Sequence, residues 1–168
     1  FTIDPTSSAV CSVNATTGVV TNINAGTCLV IVKRLGDTNY AESVSKTVTI
    51  NFTKIDQVAL NLTPAKSALK ATTSSLDTTT LSTSGGSGTG AVTYAIDPAS
   101  ATICSLSGIT VTGLAAGECT VIATKAADTN YNLATATTKL TITKGTQATL
   151  SGYWVSSPMN FDPSLNGL

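Results

Sequence analysis

The chain has 168 residues, enough for one sizeable core or two small ones. Nine basic residues balance nine acidic ones and there is no histidine, which excludes the electrostatic footprint of a protein for nucleic acid or an anionic membrane. Only 11% of residues are charged and 32 are threonine, so the surface consists largely of strand-favouring hydroxyls; with aromatics at 5%, Val, Ile, Leu and Ala must fill the core.

Along the chain, the first ordered signal is FTIDPTSSAVCSV at 1–13, followed by AGTCLVIV at 25–32 and LGDTNY at 35–40. Beyond residue 54, strands are predicted near 57–62, 67–71, 77–83, 91–97, 101–105, 109–112, 119–126 and 134–143. Each is a short β-branched run alternating with period two and bounded by Gly, Pro, Asn or Ser. In ATTKLTIT, Leu140 and Ile142 fall on one face and Thr141 and Thr143 on the other, so one face is core and one is wet. No window sustains a period of 3.6, and threonine disfavours helix. No run approaches the roughly 18 apolar residues needed to span a bilayer, so no membrane insertion is expected in this segment.

The chain repeats itself. YAIDPASATICSL at 94–106 lies over 1–13 with six identities, among them Ile3/Ile96, Asp4/Asp97, Pro5/Pro98 and Cys11/Cys104. AGECTVIA at 116–123 lies over 25–32, AADTNY at 126–131 over 35–40, and Lys144 with Gln147 over Lys54 with Gln57. The shift drifts only from 93 to 90, which confines insertions to loops. A period near 90 is too long for solenoid repeats of about 20–50 residues and matches a compact sandwich of about 100. The expected fold class is all-β, in tandem immunoglobulin-like β-sandwich domains of about seven strands each. The expected domains are 1–54, the C-terminal part of a first copy; 55–144, a complete copy; and 145–168, the start of a divergent third segment holding the only Trp and Met.

SGGSGTGAVTYAIDP, then a cysteine, then GLAAGECTVIATKAADTNYNLATA closing on LTITK, resembles the bacterial immunoglobulin-like repeats found in tandem in large secreted or surface-anchored proteins. The resemblance covers about 1–150 and departs from the family pattern after Leu150. It implies a non-enzymatic stalk, spacer or adhesive role, with localisation outside the cell, either secreted or at the cell surface.

The repeated DTNY is expected to close a turn. Asp37 and Asp128 can accept from a backbone N–H two residues on, and Asn39 and Asn130 suit a left-handed residue there. Tyr40 and Tyr131 can fold over the end of the core while their hydroxyls find backbone partners. A calcium site between domains is the rival reading of these oxygens; it needs several more carboxylates nearby, and the repeat offers few.

Four cysteines allow three pairings. Two equivalent domains are equivalently bridged only as Cys11–Cys28 and Cys104–Cys119, which implies an oxidising compartment. Zinc is the alternative use, but there is no CxxC and no histidine.

GGSGTG at 85–90 has no lysine after it and leads into a strand, so it is expected to be a flexible turn rather than a phosphate loop. IDP at 3–5 and 96–98 is expected to stop a strand, because proline cannot donate to a ladder. Without histidine there is no Ser/His or Cys/His pair, so no catalytic residue, cofactor or metal site is assigned. No Lys–Asn isopeptide pair can be picked out, and Asn14, Asn51 and Asn61 sit in N-x-Thr sequons.

The expected partners are neighbouring immunoglobulin-like domains of the same or an adjacent chain; a homopolymer, and a surface glycan or protein ligand, are the open alternatives. Such a ligand would be held by loop 84–90 or by the tail aromatics Tyr153, Trp154 and Phe161, although a lone Trp is more often core. With no initiator Met and no secretory apolar region, the chain is expected to begin after processing or within a longer polypeptide. A half sandwich leaves strand edges open, and either a longer array or a neighbouring subunit closes them. The tail aligns with 55–78, so it could supply the first missing strands but not the one near 77–83.

Overall fold

The structure is a computed structural model that describes residues 1–72 and 75–146. It is all-β and contains two β-sandwich-like units. The first comprises β1 (Thr2–Ile3), β2 (Cys11–Val13), β3 (Val20–Asn22), β4 (Gly26–Val32) and β5 (Lys46–Phe52). The second comprises β6 (Leu60–Pro64), β7 (Ala68–Ala71), β8 (Thr78–Gly85), β9 (Val92–Ile96), β10 (Cys104–Ser107), β11 (Thr110–Gly113), β12 (Gly117–Lys125) and β13 (Ala134–Lys144).

In the second unit, a sheet ordered β10-β11-β8-β6 faces one ordered β7-β13-β12-β9. The antiparallel β12–β13 pair is the longest, running from Gly117↔Ile142 to Lys125↔Ala134, and β7 adds in parallel to the outer edge of β13. The period-two pattern explains the burial. Leu140 and Ile142 are 0% and 2% exposed while Thr141 and Thr143 face water, and Cys119, Val121 and Ala123 of β12 are wholly buried. Leu69 and Leu81 close this core from β7 and β8.

In the first unit, β1-β4-β5 form one sheet and β2-β3 a hairpin. These five strands correspond to β9, β12, β13, β10 and β11 of the second unit. Its buried apolar residues are Cys11, Cys28 and Val30, with Ile3, Val20, Ile50 and Phe52 among those only partly covered. The expectation of about seven strands per unit is therefore met differently by the two: eight in the second and five in the first, among the described residues.

The IDP segments do more than stop a strand. Each continues into a short 3₁₀ turn, Pro5–Ser7 or Pro98–Ser100, with Pro in its first turn, and Asp4 or Asp97 caps it by accepting from the N–H of Thr6 or Ala99. The strand expected at 101–105 accordingly starts late, at Cys104.

Candidate functional site at the junction of the two units

Both disulfides staple opposing layers. Cys11 of β2 pairs with Cys28 of β4, and Cys104 of β10 pairs with Cys119 of β12, with Cα separations of 5.9 and 6.0 Å. Beside each lies a buried serine that the cysteine reading overlooked. Ser7 accepts from the Leu29 N–H at 2.9 Å and Ser100 from the Thr120 N–H at 3.0 Å, each donating in turn to a carbonyl of the same strand. Ser7/Ser100 is one of the six identities between 1–13 and 94–106, and that identity was the signal for its role.

The DTNY turn is built alike in both copies. Asp37 Oδ1 accepts from the N–H groups of Asn39 and Tyr40, and Asp128 Oδ1 from those of Asn130 and Tyr131, at 2.8–2.9 Å. Neither Asn is left-handed, because no described non-glycine residue has a positive φ; the turn is closed by the Asp acceptor instead. The corner-tyrosine expectation also fails. Tyr40 is 74% exposed, and neither its hydroxyl nor that of Tyr131 bonds to a described residue. The tyrosine that lies on the core with its hydroxyl partnered is Tyr94, which meets Thr83 across the sandwich at 3.2 Å.

In the second copy the same turn joins the two units. Ile55, in the connection after β5, pairs in parallel with Tyr131: its N–H donates to the Asn130 carbonyl at 3.0 Å, and its carbonyl accepts from the Asn132 N–H at 2.9 Å. Gln57 donates to the carbonyls of Ala126 and Asn132 at 3.3 and 2.7 Å and accepts from the Gly88 N–H. The Asn130 side chain then crosses to the first unit. Its Oδ1 accepts from the Ala25 N–H at 2.8 Å, and its Nδ2 donates to Asn24 Oδ1 at 3.0 Å. A half-buried amide thus uses both its acceptor and a donor on a loop 105 residues away in sequence.

The glycine-rich segment is pinned against this turn rather than free. The Thr89 N–H and hydroxyl both donate to Asp128 Oδ2, at 2.7 and 3.1 Å. Gly85 sits at φ +82° with its Cα hydrogen toward the Ala59 carbonyl, where a Cβ would collide. Bonds from the Thr89, Asn130 and Tyr131 N–H groups hold the Asp128 carboxyl at about 2, below the usual carboxylate range. Asp4 is lowered by the Thr6 hydroxyl and N–H, and Asp77 chiefly by its bond from Lys66.

Among the described residues, no group of three or more Cys, Asp or Glu converges as a metal site. Loop 84–90, a candidate ligand holder, spends Gly88 and Thr89 on Gln57 and Asp128. Tyr153, Trp154 and Phe161 lie outside the described residues.

No family model and no curated protein matches the chain. Among solved structures, it is similar to mouse cadherin-23 EC22-24, with 14% identity and a TM-score of 0.38 over 86% of this chain. The match covers 52% of that structure, so the chain spans about half its length.

Proposed function

We propose that the chain is a non-enzymatic structural segment of an extracellular protein, secreted or held at a cell surface, in which immunoglobulin-like units in series act as stalk, spacer or filament module. The observation that carries this reading is the junction. Asn130 ties the DTNY turn of the second unit to Asn24 and Ala25 of the first, and Ile55 and Gln57 fasten the connecting segment to the same turn, which supports a defined mutual arrangement of the units rather than free swinging on a linker. Spacers need that property, and free linkers lack it.

Other features agree with the reading. Two disulfides suit an oxidising compartment. The resemblance to bacterial surface repeats points the same way, and the division into 1–54, 55–144 and a segment from 145 is part of this proposal. The adhesive or glycan-binding alternative draws no support from loop 84–90, where the Gly88 N–H and the Thr89 N–H and hydroxyl are already committed to Gln57 and Asp128.

Immunoelectron microscopy of producing cells tests the proposal. Label distributed along stalks or filaments outside the cell is expected. Label confined to the cytoplasm would overturn it.

A further inference from the structure

The chain enters and leaves the second unit along adjacent tracks that run the same way. On entry, Ile55 pairs in parallel with Tyr131, just ahead of β13. Further on, β7 pairs in parallel with the end of β13, from Thr141↔Ala68 to Lys144↔Ala71. The Thr141 N–H donates to the Ser67 carbonyl at 2.9 Å and the Gly145 N–H to the Ala71 carbonyl at 3.0 Å, so the bonding covers the whole of β7. The Thr143 hydroxyl adds a bond to the Leu69 carbonyl at 3.3 Å. Between these two anchor points, β6 is paired with β8 from Leu60↔Gly85 to Pro64↔Leu81.

Direction decides what this arrangement does under tension. A pull on the chain ahead of Ile55 and a pull on the chain after Lys144 act in opposite senses on strands that run side by side in parallel. The load therefore lies along the strands and is shared by all the bonds between them. An antiparallel pair pulled apart at its open end behaves otherwise, because its bonds break one after another. The core resists the same motion. Leu69 is 1% exposed and packs with Leu140 and Ile142, and since facing alternates with every residue, β7 cannot shift one place along β13 without turning Leu69 away from the core.

The disulfide stands off this path. Cys104 of β10 and Cys119 of β12 belong to neither parallel pair, so tension reaches them only after those pairs part. Once it does, the bridge withholds the stretch between them from extension.

We propose that the second unit is a load-bearing element: its entry segment and exit strand meet tension in shear, and Cys104–Cys119 is a stop that limits the length released when they separate. Under load the unit keeps its span up to a high threshold and then yields by a bounded amount. This deepens the structural-module reading and rests on it.

Single-molecule force spectroscopy of the full chain tests it, with handles attached through an azide-bearing residue at two exposed positions. Handles at Thr53 and Thr146 load the second unit from entry to exit. Handles at Ala115 and Thr146 instead pull apart the neighbouring ends of β12 and β13, near the Gly117↔Ile142 pair. Forced unfolding reports the unfolding barrier, and the rupture force of the first geometry is expected to exceed that of the second by about twofold or more. In the first geometry, a reducing agent is expected to lengthen the released chain by about 50 Å, the reach of the 15 residues that the bridge closes. Equal rupture forces in the two geometries would overturn the shear element, and a released length unchanged by reduction would overturn the stop. Either result leaves the stalk reading standing, whereas cytoplasmic immunolabel would remove that reading and leave these forces as they are.

Discussion

Replacing Asn130 by Ala should uncouple the two units. The substitution deletes two hydrogen bonds, to the Ala25 N–H and to Asn24 Oδ1, in a half-buried setting. At about 0.5–1.5 kcal/mol each, with an added cost for the part-buried Ala25 N–H left unsatisfied, the loss should be about 1–3 kcal/mol. It should fall mostly on the first unit, whose fully buried apolar residues, among those described, are Cys11, Cys28 and Val30. The assay is chemical denaturation of the native chain, N130A, N24A and the double variant, so that the cycle isolates the Asn24–Asn130 coupling. Asn39→Ala is the internal control: it stands at the same place in the same turn, and its side chain bonds to no described residue, so its effect should stay within about 0.5 kcal/mol. Equal effects of N130A and N39A, or additivity in the cycle, would refute the junction as a side-chain lock.

Other expectations follow from the same geometry. Removing the second disulfide with Cys104→Ser and Cys119→Ser, which opens a loop of 15 residues, should cost about 3 kcal/mol, read as the difference between denaturation curves of the double variant and the native protein. Because the Asp128 carboxyl is held at about 2 when folded, below its unfolded value, its contribution is complete above about pH 4 and is lost as the pH falls toward 2. Asp128→Asn should therefore flatten the acid limb of a stability–pH curve, and an unchanged limb would count against the turn's bonds. Gly85→Ala meets both a left-handed φ and the Ala59 carbonyl and should cost about 1–3 kcal/mol, measurable by thermal denaturation. Gly108→Ala, at φ +59° with nothing nearby, should pay only the backbone cost of about 1 kcal/mol.

The sequence by itself determined what repetition and alternation can carry. Matching Cys11/Cys104 and Cys28/Cys119 in two copies left one symmetrical pairing, and the Leu140/Ile142 alternation marked a half-buried strand, because side-chain direction along a strand has period two. The Asp–backbone closure of DTNY was also legible, since it involves residues two and three apart. Only the tertiary structure decided how identical letters divide their labour. Asn39 and Asn130 are the same residue in the same turn, yet one faces open space and the other bridges to Ala25, a partner 105 residues distant. Tyr40 is bare for the same reason: among the described residues, nothing packs on the first turn as the Gln57 linker and the glycine-rich loop pack on the second. Local pattern encodes the conformation of a turn, but its role depends on which surface folding brings against it, and that is a property of long-range packing.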